Sequence, residues 1–152
     1  KDELERDREL DEAERMHLLG TRIEKFEDIG HGSALLLKPQ CAAVIQGALR
    51  HFDSVRYRLI EWCIMPNHVH VLVHLPLGTS LGTIIQSWKT FTARRINIAV
   101  GQHGQLWAED YHDRYIRDEK HLVNARSYIR QNPVKAGLCD RPEDWPWSSA
   151  GQ

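Results

Sequence analysis

The sequence predicts an α+β domain in which helices pack on a central antiparallel sheet. Segments with helical periodicity alternate along the 152-residue chain with short segments of strand-like alternation. The two clearest strands, Tyr57–Met65 and His68–Leu75, are separated only by the turn-forming pair Pro66-Asn67. That arrangement is typical of an antiparallel hairpin, and the hairpin is why we favour an antiparallel sheet over a parallel one.

Length and composition indicate a single globular domain. The chain is 41% hydrophobic and 27% charged, and it has no apolar run of the ~20 residues that a membrane helix needs. We therefore expect no membrane association. Its three cysteines, Cys41, Cys63 and Cys139, are odd in number and far apart. This pattern favours reduced thiols in a cytoplasmic protein and argues against a zinc knuckle.

Charge is distributed unevenly along the chain. Residues 1–30 carry a net charge of −5 and residues 31–152 a net charge of +4, which together give the overall −1. An acidic segment thus precedes a mildly basic body, and the body could hold a phosphate backbone on one face.

The first element is predicted to be a helix over residues 2–28, ended by Gly30 and Gly32. Its sequence is rich in Glu, Arg, Leu and Ala, and four apolar residues fall on one helical stripe: Met16, Leu19, Ile23 and Phe26. We therefore divide the chain into an acidic helical segment, residues 1–30, and a domain over residues 31–152.

The next elements are a short strand, Ser33–Leu37, and a helix from Pro39 to about residue 52. After the hairpin, Thr79 or Ser80 can cap another helix. Its buried side is predicted to hold Leu81, Ile84, Ile85, Trp88 and Phe91. Three basic residues on this helix face outward or toward a ligand: Lys89, Arg94 and Arg95.

The last third of the chain begins with Leu106–Ile116, which is predicted to be a loop and a short edge strand. Asp118 is a suitable cap for a helix over residues 119–131. Pro133 should halt or kink that helix, because the residue before a proline avoids helical angles.

The hairpin carries the first chemical signal, His68-Val69-His70. Successive strand residues point to opposite faces, so the two histidines share one face with backbones roughly 6.6 Å apart. One metal ion can be reached from both sides of such a gap. Two half-buried polar histidines are the ordinary alternative.

The last helix carries the second signal, because Tyr128 and Asn132 are four residues apart and share one helical face. A tyrosine can act as a nucleophile toward phosphorus when a metal ion polarises the phosphate. An Asn oxygen suits Mg²⁺ or Mn²⁺, and two imidazoles are acceptable to Mn²⁺. A packed tyrosine and a helix-ending asparagine are the ordinary alternatives.

A zinc hydrolase or structural zinc protein is a further possibility for the histidine pair. The sequence lacks the His-x-x-x-His spacing, a catalytic Glu at a known offset and a cysteine pair. Zinc chemistry is therefore the least favoured interpretation of the histidine pair.

Together the motifs resemble the REP-associated tyrosine transposases, a single-tyrosine branch of the HUH endonucleases and the IS200-like transposases. The resemblance covers about residues 38–150. It rests on Met-Pro-Asn-His-Val-His-Val-Leu-Val from Met65, Leu106-Trp107, Tyr-Ile-x-x-Asn-Pro-Val-Lys-Ala-Gly from Tyr128, and Trp-Pro-Trp-Ser-Ser from Trp145. The first and third motifs together are highly specific.

The resemblance implies a ferredoxin-like α+β fold with His68 and His70 as metal ligands, Tyr128 as the nucleophile and Asn132 as a third ligand. It implies cleavage of single-stranded DNA near small palindromes, with Mg²⁺ or Mn²⁺, a 5′-phosphotyrosine link and a released 3′ hydroxyl. The partner would be single-stranded or hairpin DNA, and the protein a monomer or homodimer. A catalytically silent DNA-binding regulator of the same fold is the alternative.

Two further expectations concern DNA contacts and the start of the fold. Phosphate contacts are expected from Lys89, Arg94, Arg95, Arg126 and Arg130, and base stacking from Trp107 or Tyr111 unless these aromatics belong to the core. Family members begin with a strand, which the sequence does not reveal. We expect that strand upstream of Lys1.

Overall fold

The fold is a four-stranded antiparallel sheet with helices on both faces. The computed structural model describes residues 20–28 and 34–152. The strands are β1 (Thr21–Asp28), β2 (Arg58–Ile64), β3 (His68–His74) and β4 (Trp107–Tyr115), in the order β2-β3-β1-β4. The helices are α1 (Pro39–His51), α2 (Leu81–Val100) and α3 (Glu119–Lys135). The α+β class and the antiparallel sheet are confirmed, while the ferredoxin-like assignment remains a prediction.

Strand β1 corrects the prediction of a helix over residues 2–28. Residues 21–28 are extended and lie in the middle of the sheet, between β3 and β4. Ile23 faces one side of the sheet and Phe26 the other, and each packs into a different apolar cluster. Apolar residues three apart on a strand, one on each face, imitate a helical stripe, which explains the error.

The boundary between residues 30 and 31 is wrong for the same reason. Among the described residues the first strand of the sheet is β1 at Thr21–Asp28, within the segment that was predicted to be helical. Gly20, the residue before β1, has a positive φ of 85°, and a Cβ there would overlap the carbonyl oxygen of Leu75. The predicted helix over residues 2–19, including Met16 and Leu19, lies outside the described residues.

Helices α1 and α2 cover one face of the sheet. Their apolar side chains pack on β-strand residues such as Phe26, Val69 and Val71. Helix α3 lies on the other face, where Ile129 packs with Leu72 and Cys63. Along β3, therefore, Val69, Val71 and Val73 face α1 and α2, whereas His68, His70 and Leu72 face α3.

Several helix predictions are confirmed in position and corrected in detail. Ser80 caps α2 by accepting a hydrogen bond from the Thr83 N–H. Phe91 was predicted to be buried, but 47% of it is exposed. Leu35–Leu37 forms a short 3₁₀ helix rather than part of a strand, because its Leu35 and Leu36 side chains turn together into the core. Ser33 lies outside the described residues.

The last strand and helix are both longer than predicted. Strand β4 is an edge strand, as expected, and it extends over nine residues. Helix α3 is capped by Asp118 and continues through Pro133 to Lys135. Pro133 lies in the last turn with its ring buried, so the helix loses one backbone hydrogen bond near its end and continues.

The Trp145–Ser149 tail covers the outer edge of β2. The Ile64 N–H donates to the Trp147 carbonyl over 2.8 Å, and the Trp145 indole donates to the Ile64 carbonyl over 3.0 Å. Ser148 forms an isolated bridge with Cys63. The tail thus protects an edge that would otherwise expose unpaired backbone groups.

The cysteines form no disulfide bond with one another. The three cysteines are free, and burial raises the pKa of Cys63 to about 12, which makes this thiol unreactive. Within residues 20–28 and 34–152, no helix is both long and apolar enough to span a bilayer. The cytoplasmic location itself remains a prediction.

Candidate active site

His68 and His70 converge on one point at the start of β3. Their Nε2 atoms lie 3.1 Å apart on the face that α3 covers. His70 is only 3% exposed and His68 is half-buried. Across the sheet, His68 is in register with Glu27 of β1, and His70 with Lys25.

The hydrogen-bond partners of the two rings determine where their lone pairs point. Nδ1 of His68 lies 2.7 Å from Oδ1 of Asn67, which can only accept, so Nδ1 carries the hydrogen. Nδ2 of Asn132 lies 3.1 Å from Nε2 of His70 and can only donate. Both facing Nε2 atoms therefore present lone pairs, and this arrangement favours a positive charge between them.

Burial keeps both rings uncharged near neutral pH. Desolvation, with a smaller effect from the Lys25 ammonium, lowers the pKa of His68 to about 4. Desolvation and the neighbouring His68 lower the pKa of His70 to about 3. A neutral imidazole is the form that binds metal ions, so the pair is suited to hold a cation other than a proton.

Helix α3 brings Tyr128 and Asn132 to the histidines. The ring centroids of Tyr128 and His70 are 5.4 Å apart, edge to face. Tyr128 remains 45% exposed, so an external group can reach its hydroxyl. Nζ of Lys135, one turn beyond Asn132, lies 5.9 Å from the Tyr128 ring centroid. The four residues predicted as nucleophile and ligands therefore form one cluster.

The donor set fits a divalent ion with octahedral preference. Two nitrogens about 2.1 Å from one ion and at right angles lie about 3.0 Å apart, close to the observed 3.1 Å. A half-turn of the Asn132 amide would place its Oδ1 where Nδ2 now lies. Asn67 orients His68 from behind, as outer partners of metal-bound histidines do. Among the described residues no group of three His, Cys, Asp or Glu is arranged so that it could hold a metal ion.

A buried carboxylate holds α3 in place over the sheet. Glu61 of β2 is 1% exposed, and its Oε1 accepts hydrogen bonds from Arg126 at 3.1 Å and from Arg130 at 3.4 Å. Its Oε2 accepts from the Ser149 hydroxyl. Arg126 and Arg130 were predicted to contact DNA; their guanidinium groups pair with Glu61, each side chain stays nearly half exposed, and the DNA contact stays a prediction.

Two other predicted DNA contacts are buried on the opposite face of the sheet. Trp107 is 4% exposed, lies edge-on to Phe26 and donates its indole N–H to Thr92. Lys89 is 9% exposed and donates to the Ala108 carbonyl over 2.8 Å. Tertiary packing on β4 occupies both side chains, so Trp107 belongs to the core, which was the stated alternative, and little of Lys89 is accessible to a ligand.

The side chains of the remaining predicted contacts lie on the side of the sheet opposite the histidine pair. Arg94 and Arg95 are exposed on α2, which covers the face opposite α3. The Arg95 guanidinium lies over the Phe91 ring. Tyr111 of β4 is 39% exposed, and the Lys89 ammonium lies 5.7 Å from its ring centroid. None of these residues joins the cluster around Tyr128.

Sequence reasoning missed the residues on β1 and β4 that flank the cluster. Lys25 of β1 and His112 of β4 are in register with His70, so the three residues form one row across the sheet. Arg114 lies on the same face, beside Ile23. The alternation of β1 would have revealed Lys25, but residues 21–28 were predicted to be helical.

Comparison with known proteins identifies relatives of this chain. Residues 36–132 match the family model described as "Transposase IS200 like". A provisional REP-associated tyrosine transposase of Haemophilus influenzae is 32% identical over 103 residues, covering 61% of this chain and 58% of that protein. A REP-associated tyrosine transposase of Escherichia coli is 27% identical over 93 residues, covering 61% of this chain and 54% of that protein. The chain thus spans little more than half the length of these relatives.

A solved structure extends the comparison to the fold. It is a REP-associated tyrosine transposase bound to a REP hairpin, and it matches with a TM-score of 0.71 and 23% sequence identity. The match covers 86% of this chain and 76% of the other. At this level of identity the likeness concerns the fold, and it includes the sheet and helices that carry the histidines and the tyrosine.

Proposed function

Because this chain belongs to the IS200-like transposase family, we propose that it cuts and rejoins single strands of DNA at palindromic repeats, with Tyr128 as nucleophile. The observation that carries the proposal is the convergence of three separate elements on one point. Strand β3 supplies two uncharged imidazoles with facing lone pairs, the turn before it supplies Asn67, and α3 supplies Tyr128 and Asn132.

In the proposed reaction the hydroxyl oxygen of Tyr128 attacks the phosphorus of a backbone phosphodiester. A bond forms between that oxygen and phosphorus, and the bond between phosphorus and the 3′ oxygen breaks. The phenolic proton leaves to solvent, and the departing 3′ oxygen takes up a proton to become a hydroxyl. The product is a 5′-phosphotyrosine, and attack by a 3′ hydroxyl reverses the step. One ester is exchanged for another, so the reaction needs no external energy source.

The histidines and Asn132 would hold the cofactor of this reaction. A divalent ion, Mg²⁺ or Mn²⁺, bound by Nε2 of His68, Nε2 of His70 and Oδ1 of Asn132 would neutralise charge on the phosphate and polarise it. Asn67 keeps His68 in the tautomer that presents Nε2. Lys135 lies beside the Tyr128 ring and adds a positive charge where the phenolate develops.

The proposed substrate follows from the relatives. The solved relative is bound to a REP hairpin, and the Escherichia coli relative is a REP-associated transposase. We propose that this chain acts on the same class of DNA, hairpins with single-stranded flanks. Its exposed Tyr128 is accessible to such a flank.

The test is a denaturing gel with DNA labelled at one end or the other. The oligonucleotide carries a palindromic repeat from near the gene, with single-stranded flanks, and Mg²⁺ or Mn²⁺ is present. Because the proposed link is to the 5′ phosphate, a 3′-end label should enter a slow-migrating protein adduct. A 5′-end label should appear only in a shortened fragment with a free 3′ hydroxyl.

Matched variants identify the nucleophile. Tyr128→Phe should abolish both products and keep DNA affinity, whereas Tyr115→Phe, the same change on exposed β4, should keep both products. Adduct that persists in Tyr128→Phe would overturn the assignment. DNA binding by the unchanged protein without any adduct would instead support the catalytically silent regulator.

A further inference from the structure

Half of the sheet face that carries the histidines is left uncovered by α3. The main contacts of α3 with the sheet are with β2 and β3. Beside it, β1 and β4 form the floor of an open groove of about 630 Å³ that includes His70 and Tyr128 in its walls. The groove therefore begins at the proposed reaction centre and leads away from it toward the β4 edge of the sheet.

The floor of this groove is positively charged. Lys25 and Arg114 lie on the groove side of β1 and β4, and the exposed His112, in register with Lys25, lies on the same face. Glu24 and Asp113 also border the groove, but strand alternation turns their side chains to the opposite face, where Asp113 pairs with Arg22. Glu27 is the acidic residue on the groove face of β1, and its carboxylate lies 3.0 Å from Nζ of Lys25.

The two cations are spaced along a diagonal of the sheet. Lys25 is in register with His112, and Arg114 is two residues further along β4, so the diagonal neighbours are about 7–8 Å apart at their Cα atoms. That spacing is of the order of one nucleotide step in an extended strand. Lys25 is the nearer to the reaction centre, since it is directly opposite His70.

We propose that this groove seats the single strand next to the scissile phosphate, with Lys25 and Arg114 binding successive backbone phosphates. The inference rests on the proposed function and goes beyond it by naming the path of the strand and its two phosphate contacts. The ammonium of Lys25 exchanges Glu27 for the phosphate adjoining the reaction centre. Among the described residues Arg114 makes no ion pair, so its guanidinium can bind the next phosphate outward without breaking a contact.

The test measures binding separately from cleavage. The full chain with Tyr128→Phe, which cannot form the proposed adduct, is titrated in Mg²⁺ with a fluorescent hairpin oligonucleotide bearing single-stranded flanks. Lys25→Gln and Arg114→Gln are compared with Arg56→Gln, which removes the same charge from an exposed position beside Phe52, on the opposite face of the molecule. Each groove variant should weaken binding about 5- to 10-fold and reduce the salt slope by about 1, while Arg56→Gln changes neither.

Replacing single phosphates by uncharged methylphosphonates locates the contacts. Replacement of the phosphate that binds Lys25 should weaken binding of the Tyr128→Phe protein but should cause no further loss when Lys25→Gln is also present. Replacement of the neighbouring phosphate should weaken binding in the same way and should cause no further loss when Arg114→Gln is present. Full affinity in both groove variants, or losses that add at every phosphate, would overturn the proposed path.

Adduct formation by the protein with Tyr128 intact, measured on the same oligonucleotide, tests the proposed function independently. Adduct together with unaffected binding in the groove variants would refute the path and leave the chemistry standing. Weakened binding in the variants without any adduct would support the path and refute the chemistry.

Discussion

Nδ2 of Asn132, in the last turns of α3, lies 3.1 Å from Nε2 of His70 on β3. This contact joins the helix that carries the tyrosine to the strand that carries the histidines. Because the Asn132 amide can turn to present its oxygen, the same residue can serve as a neutral oxygen ligand. Water can replace one such ligand, so Asn132 should matter less to the reaction than either histidine.

We therefore expect Asn132→Ala to weaken metal binding without abolishing cleavage. The Mg²⁺ concentration needed for half-maximal adduct formation should rise about 10- to 100-fold, as when partners of a metal site are lost. Adduct formation at saturating Mg²⁺ should stay close to that of the unchanged protein, whereas His70→Ala should remain inactive. Equal loss of activity in both variants at high Mg²⁺ would show that Asn132 does more than hold the ion.

The parts of the site that the sequence predicts are those with local patterns. The hairpin turn and the period-two alternation identify β3, and together they place His68 and His70 on one face. The four-residue spacing of Tyr128 and Asn132 places both on one side of α3. The periodicity of a helix or strand determines which of its residues share a face, wherever the element packs. The prediction therefore needed no knowledge of distant contacts.

The parts that the sequence did not predict depend on distant contacts. Strand β1 was mistaken for a helix because its apolar residues Ile23 and Phe26 join clusters on opposite faces, so that apolar residues do not alternate. The positive charge of Arg126 could not reveal its partner, Glu61, which lies on a strand far away in the chain. The sequence left open whether Trp107 stacks on bases or lies in the core, because its packing partner Phe26 is on a strand far away in the chain.

The buried histidine pair should make stability depend on acidity. Both folded-state pKa values lie below the ordinary value of 6.5, so the unfolded chain takes up protons first as the pH falls. In metal-free buffer the contribution of these two histidines to the free energy of unfolding should be constant above about pH 6.5. It should then fall by about 1–2 kcal/mol per histidine by pH 5.

Denaturant titrations at several pH values provide the measurement. The variant His68→Gln/His70→Gln should lose most of this dependence between pH 6.5 and 5, because Gln does not titrate. A pH dependence as steep as that of the unchanged protein would place its origin in other groups.

Glu24 should produce the opposite pH dependence. Its side chain is buried on the face covered by α2, its two oxygens have no hydrogen-bond partner among the described residues, and desolvation raises its pKa to about 8. The folded state therefore keeps the proton while the unfolded chain releases it above about pH 4.5. Its contribution is fully present below that pH and is lost as the pH rises through about 8.

Glu24→Gln should remove this loss. Between pH 5 and 8 the free energy of unfolding of the unchanged protein should fall relative to that of the variant by about 3 kcal/mol. Urea denaturation at the two pH values measures the difference. Parallel pH profiles for the two proteins would mean that Arg22 and Lys89, the neighbouring cations, keep Glu24 ionised.

The two arginines that pair with Glu61 should not act independently. Loss of Arg126 alone leaves Arg130 on the same carboxylate oxygen, so Arg126→Ala should cost only about 1 kcal/mol of unfolding free energy. Loss of both leaves a buried carboxylate without a cation, and the double variant should cost about 3–5 kcal/mol, more than the single effects combined. Adding Glu61→Gln to the double variant should recover part of the loss, because it removes the unpaired charge. Denaturant unfolding of the unchanged protein, both single variants and the double variant completes the cycle, and strictly additive costs would show that the carboxylate is stabilised mainly by Ser149 and the tail.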